Sequence, residues 1–340
     1  MGSKFGWLLA GVLVLVVVVI IVVRLVFPPT TPPDKTKRGQ LLDFKDIPFW
    51  PTTAAGAKPS AAGDAADDYR KAVEACMGKA KQISEMSAAF GEKERAFTPE
   101  MLDFMKEVYE HVARGAQKAS ASYAVKYADQ FRIAPGFLPA SRLKAVGDVL
   151  LFLFGHYYFN KDFDKAEEVA RNTFKMGWHL MKERAHVNVV LAGLQLQMQG
   201  LGNFEALYES SPKKDPRAYK EARGYLEELN LIRDQYGKKL EIVHAEKLNA
   251  GDIFNIAEND KDHAWQVQAV QTLALIKHAA GGRADRRHAR KLISRFSLSD
   301  DRLLSAAAKA AAAFTEQDFE VYRSPGYVPV SWPPGSESIR

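Results

Sequence analysis

The chain has 340 residues, 47% hydrophobic and 26% charged, which is enough apolar material for one large or two ordinary folded domains and too much for a disordered chain. Its single cysteine, Cys76, excludes an intrachain disulfide framework and any cysteine-based zinc cluster. The formal charge of +6 is concentrated: Arg283, Arg286, Arg287, Arg290, Lys291 and Arg295 stand against Asp285, a local +5, so a general polyanion-binding role for the whole chain is not indicated.

From Gly6 to Val23 the chain reads GWLLAGVLVLVVVVIIVV, and Arg24 is the only ionised residue before Phe27. As a helix of about 1.5 Å per residue, residues 6–27 reach ~33 Å, enough to cross a hydrocarbon core. The run is longer than a signal-peptide core and lacks an A-x-A-like exit, so an uncleaved, single-pass signal-anchor is expected. No cysteine stands directly after it, which removes a lipoprotein anchor. Lys4 on one flank against Arg24, Lys35, Lys37 and Arg38 on the other leans the large domain toward the cytoplasmic side of a bacterial cytoplasmic membrane. Short-tailed signal anchors that export their C-terminal domain argue the opposite, and the side stays open.

Residues 28–62, from PPTTPPDKTKRG to PTTAAGAKPSAAG, have the composition of a Pro/Ala-rich stalk. Leu41, Leu42, Phe44, Ile47, Phe49 and Trp50 interrupt it, and these are expected to dock on the helical domain or the headgroup layer, or to act as a partner-binding peptide.

Beyond Gly63 the apolar residues recur at helical spacing, and no alternating strand pattern stands out, so the body is expected to be all-α, built of helical hairpins. Tyr69, Val73, Cys76, Ala80, Ile83, Ser87 and Phe90 predict one long amphipathic helix with its weakest point near Ser87. Thr98-Pro99-Glu100 predicts an N-cap with proline at N1. A loop over 133–139 precedes helices over about 140–159 and 162–183, with Asp162 as the cap between them. A helix over about 185–199 is expected to stop at Gly200, and Asp215-Pro216 to open a long helix. This divides the body into helical domains over 63–210 and 215–323, followed by an extended tail over 324–340.

Tyr157, Phe163, Ala166 and Ala170, within Leu150–Thr173, resemble one tetratricopeptide unit. Asp262, Trp265, Ala269, Val270, Leu273 and Ile276 recur 38 residues later as Asp300, Leu303, Ala307, Ala308, Ala311 and Phe314, which resembles a pair of HEAT repeats. Both resemblances imply a solenoid-like stack of hairpins.

The search for chemistry returns little. His179, Glu183 and His186, at i, i+4 and i+7, share one side of a continuous helix and are weak candidate metal ligands, or, near Tyr157, the core of an enzyme site. The plainer reading places them on an amphipathic face. His156 reads as a satisfied core histidine and Cys76 as an inert buried thiol. No nucleophile elbow, Walker loop or dinucleotide fingerprint is present, and no cofactor is implied. Leu292, Ile293 and Phe296 continue the buried side of the basic helix, so Arg283, Arg286, Arg287, Arg290 and Lys291 read first as a solvated face and second as interaction candidates for anionic lipid. Nucleic acid is disfavoured, since no aromatics are interleaved with the charges. The expectation is a membrane-anchored helical scaffold that binds another protein, with an enzyme near His179 and a lipid-contacting domain as the alternatives.

Overall fold

The computed structural model describes residues 61–91, 97–123, 140–243, 249–278 and 282–323. The expected membrane span, most of the stalk with its Leu41–Trp50 segment, and the tail lie outside these residues. All the described residues belong to one compact unit. Among them the chain is mostly helical, in agreement with an all-α body, and no helix is long and apolar enough to cross a membrane.

One exception to the helical pattern opens the unit. Strands β1 (Ala61–Asp64) and β2 (Lys118–Ser120) pair in parallel, with Ala61 opposite Lys118. Strands of four and three residues are too short to carry a readable alternation. Asp64 fixes the turn that follows β1, because its Oδ1 accepts from the Ala66 and Ser122 backbone N–H at 2.8 and 2.9 Å.

The long helix expected over Tyr69–Phe90 is two helices, α1 (Ala66–Cys76) and α2 (Ala80–Gly91). The break lies at Gly78, whose φ of +74° is left-handed, and Met77 before it is already extended. Helix α3 (Pro99–Ala116) starts as the sequence indicates, with Thr98 Oγ1 accepting from the Met101 N–H at 3.3 Å. Helices α4 (Ala140–Phe159) and α5 (Phe163–Glu183) follow, and Asp162 caps α5 by accepting from the Lys165 N–H.

Helix α6 (Val187–Ser210) runs through Gly200 instead of stopping there. A Cβ on Gly200 would lie 2.8 Å from Phe174 Cβ and 2.9 Å from the Ala170 carbonyl, so the glycine marks a close helix contact, not a cap. One heptad earlier on α6, a Cβ on Gly193 would lie 2.6 Å from the Gly177 carbonyl and 2.7 Å from the Met181 nitrogen. Helices α5 and α6 therefore run antiparallel with backbones in contact along Ala170, Gly177, Gly193 and Gly200, and they share the most extensive interface among the described elements.

After Asp215, whose Oδ1 accepts from the Arg217 and Ala218 N–H, helix α7 (Pro216–Val243) packs along α6. The last group comprises α8 (Ala250–Asn259), α9 (His263–His278), α10 (Arg283–Ser297), α11 (Arg302–Ala313) and α12 (Glu316–Arg323). Helix α9 packs against α8, α10 and α11 and also meets α6, α7 and α12, so none of its residues is exposed. A helix apolar all round belongs in such a central place, and α6 is similar, with only Glu209 and Ser210 exposed at its end.

Four of the five apolar pairs set in register 38 apart match in burial, and the fifth does not, since Ile276 is buried and Phe314 only half-buried. Trp265, Ala269, Val270 and Leu273 of α9 are buried, as are Leu303, Ala307, Ala308 and Ala311 of α11. The caps are displaced by one: Asp262 Oδ1 accepts from the Ala264 N–H, but at the second helix Asp301, not Asp300, accepts from the Leu304 N–H.

The glycine contact makes a paired prediction. Gly193→Ala forces a methyl into backbone atoms that have no rotamer to yield and should cost ~1–3 kcal/mol. Gly202→Ala, on the same helix with nothing within 4 Å of its added Cβ, should instead gain ~0.5–1 kcal/mol of helix stability. Chemical denaturation of the full chain in detergent, followed by circular dichroism, measures both; equal effects at the two glycines would refute the close-contact account.

Candidate functional site

The sequence placed three candidate ligands on one helix face, and the structure separates them. Helix α5 ends at Glu183, and Arg184 turns the chain with a φ of +45°. His186 lies beyond that turn, extended, and caps α6: its Nδ1 accepts from the Asn188 N–H at 3.1 Å while Nε2 faces Gln271 Oε1 of α9 at 2.9 Å. The i, i+7 geometry required a continuous helix, and it is lost at Arg184. Among the described residues, no group of three or more His, Cys, Asp or Glu side chains is arranged to hold a metal ion.

His179 has a different partner, one that the sequence did not disclose. Its Nδ1 lies 2.7 Å from the hydroxyl of Tyr69 on α1, with Tyr69 fully buried and His179 2% exposed. Its Nε2 faces the Lys118 backbone without a well-formed hydrogen bond. Burial, and then Lys175 and Lys182 nearby, push the imidazole down to about 3, so the ring is neutral and its Nδ1 accepts the hydrogen bond that the Tyr69 hydroxyl donates. Burial likewise holds the Tyr69 hydroxyl well above the usual tyrosine range.

The surroundings are polar but occupied. Lys118 Nζ sits 2.6 Å from Asp68 Oδ2 at an angle unsuited to a hydrogen bond, so charge holds this pair, and Arg114 Nε lies 3.7 Å from Oδ1. A Cβ on Gly115 would strike the Tyr69 ring at 2.5 Å, which shows how closely α3 covers it. The Trp178 ring lies beside His179, tilted by 52° at 5.4 Å between centroids, with Lys182 Nζ 4.4 Å above the indole. A neutral imidazole and a phenol could exchange a proton, but neither is open to solvent. The pair works as a fastener between α1 and α5.

Other titratable groups serve the same end. Lys277 Nζ donates to the carbonyls of Ala311, Ala312 and Phe314 at 2.7–3.0 Å and so caps the C-terminus of α11. His263 bridges the Arg184 carbonyl, at 3.4 Å, and Asp301 Oδ2, at 2.8 Å. His156, expected in the core, is only half-buried and lies against Asn160 and the edge of Phe97. Cys76 is buried, and its thiol is pushed up to about 12, which suppresses the thiolate. A depression between α4 and α6, lined by Leu143, Gly147, Leu196 and Gln199 among others, has about 190 Å³ of empty space including open solvent. That is below the ~300 Å³ of ordinary small-molecule pockets.

The basic stretch is helix α10, where Leu292 and Ile293 are buried as the spacing predicts, while Phe296, expected beside them, is only half-buried. Ala289, Leu292 and Ile293 are buried, whereas Arg283, Arg287, Arg290, Lys291 and Arg295 are exposed and Arg286 is intermediate. Arg295 pairs with Glu258 of α8 at 2.9 Å. Just past the helix, Leu298 is 84% exposed, a position that no periodicity in the sequence marks. Comparison of the chain with protein-family models, with curated proteins and with solved structures finds no match.

The depressed imidazole makes a signed prediction. Its folded value, about 3, lies below the unfolded value of about 6.5, so the unfolded chain binds the extra proton between those limits. Stability is complete above pH 6.5 and should fall by up to ~1.4 kcal/mol per pH unit from this group as pH drops toward 3. His179→Gln, which keeps an acceptor for Tyr69, should flatten that slope between pH 6 and 4. An unchanged slope in denaturation curves across that range would refute the assignment.

Proposed function

We propose that the chain is a single-pass membrane protein whose helical domain is a scaffold presenting a binding surface to another protein. The observation that carries this reading is the outward face of α7. This helix of 28 residues packs on α6, yet Leu231 and Ile242 are 42% and 43% exposed. They stand 11 residues apart, which at about 100° per residue places them on one line along the helix. Gly224 continues that line and has open space where a Cβ would be, and exposed Lys238 stands on it between the two apolar residues. Aligned apolar side chains on an exposed helix are the pattern by which helical surfaces engage partners. The apolar run over residues 6–27 supplies the membrane part of the proposal. The enzyme alternative loses its basis in a shared His179–Glu183–His186 face.

The test uses the full chain in its native membranes, with a photo-crosslinking amino acid at 231, at 242, or at exposed Asp103 on α3. The same discrete adduct from 231 and 242, and not from 103, is the expected result. Replacing both apolar residues by Glu should abolish the complex while changing stability by no more than ~0.5 kcal/mol, as for other surface changes. Adducts at 231 and 242 no stronger than at 103 would reject this surface.

A further inference from the structure

We infer that the exposed face of α10, together with Leu298, is a docking surface for an anionic phospholipid bilayer, so that the helical domain lies against the membrane that anchors it. This rests on reading residues 6–27 as the anchor, and it adds a second, surface contact.

The argument begins with how the charges are distributed around the helix. At about 100° per residue, Arg286, Arg290, Arg283, Ser294, Arg287 and Lys291 fall in that order across a little under half the circumference. Arg283, Arg287, Arg290, Lys291 and Ser294 are all exposed. No carboxylate of the helix falls within this arc. Asp285, the helix's acidic residue, is only half-exposed and sits in the first turn on the other side, where it suits the helix dipole. Glu258 answers the charge of Arg295 and approaches His288 within 4.0 Å, and both of these lie at the margin of the arc, outside its centre. The central cations therefore have no acidic counterpart from their own helix.

Leu298 adds the second observation. Its 84% exposure is the highest of the large apolar side chains found exposed, and it continues the same arc one turn beyond Ser294. The side chain gains nothing from packing where it stands. Basic residues flanking a protruding aliphatic group match the two parts of a bilayer surface: phosphate headgroups for the guanidinium ions and the acyl boundary for the leucine. Arginine suits phosphate particularly well, because its fork of N–H donors binds two oxygens together. Nucleic acid would satisfy the charges but not the leucine, and the arc offers no aromatic ring for base stacking.

The full chain, with Cys76→Ser and Leu298→Cys carrying an environment-sensitive fluorophore, is reconstituted in vesicles of phosphatidylcholine alone or with phosphatidylglycerol. A second preparation carries the fluorophore at exposed Lys106→Cys on α3. The expected result is a blue shift, with quenching by spin-labelled acyl chains, at 298 in anionic vesicles only, and no change at 106. Raising the salt to half-molar should reverse it without any substitution in the basic helix. Arg287→Ser, Arg290→Ser and Lys291→Ser together should weaken the anionic-lipid response by roughly 100-fold, from the usual contribution of each basic residue. Identical emission in the two vesicle types would overturn the inference, as would a shift produced by an oligonucleotide and not by phosphatidylglycerol. Release of the protein by alkaline carbonate would reject the anchor alone, and vesicles added from outside would then test α10 by the same signal.

Discussion

The backbones of α5 and α6 meet at Gly177 and Gly193, a separation open to them only because neither residue carries a Cβ. Much of the remaining fold follows from that approach. With α6 drawn against α5, its opposite side is free to receive α7, while α4 and α9 cover what is left, which is why its sequence is apolar nearly all round. The sharp turn between the two helices, made at left-handed Arg184, puts His186 where it can both cap α6 and reach Gln271. The Arg184 carbonyl is then a partner for His263, and through His263 the turn reaches Asp301 at the head of α11. A close contact between two helices is thereby connected to helices more than a hundred residues further along the chain.

The same glycines show where the sequence is readable and where it is not. Caps were legible because their chemistry is local: Thr98, Asp162 and Asp215 each hold the nitrogen or nitrogens expected of them. Glycine was ambiguous because two different physical reasons call for it. Gly78 supplies a left-handed turn and splits the first expected helix, whereas Gly200, which looks like a terminator, removes a Cβ from a helix that continues for ten more residues. No local pattern distinguishes those cases, since the deciding atoms belong to Ala170 and Phe174 on another helix. The displaced cap at Asp301 is a milder instance. The buried register was fixed by the apolar spacing, and either of two adjacent aspartates could have served until the backbone chose.

The candidate chemistry was legible in inverse proportion to its dependence on tertiary contacts. Helix α10 needed only its own periodicity, so most of its buried and exposed residues were legible, with Arg286 and Phe296 falling between the two classes. The histidines needed partners 85 and 110 residues away, Gln271 for His186 and Tyr69 for His179, and spacing along α5 carried no trace of either. Once those partners are known, the pattern changes meaning. A ring at 2% exposure whose charged form is strongly disfavoured is a connector that demands correct packing. Tyr69, Lys277 and His263 play comparable parts at other seams.

Polar groups used internally in this way leave the distinguishing features of the domain on its surface, where a tether changes the energetics of recognition. A free protein that docks through a few exposed arginines and one leucine must overcome the loss of translational freedom, which cancels most of what such weak contacts contribute. A domain joined to its target bilayer by the expected stalk has already lost that freedom. Short flexible linkers in general give effective concentrations in the millimolar range, and under such a tether contacts of ~1 kcal/mol per basic residue would suffice to hold a domain down. Salt or a local drop in anionic lipid would release it again without disturbing the core. On the proposed reading, a weak attraction of α10 and the expected anchor would therefore be complementary: the anchor would make the contact effective, and the contact would orient what the anchor only holds nearby.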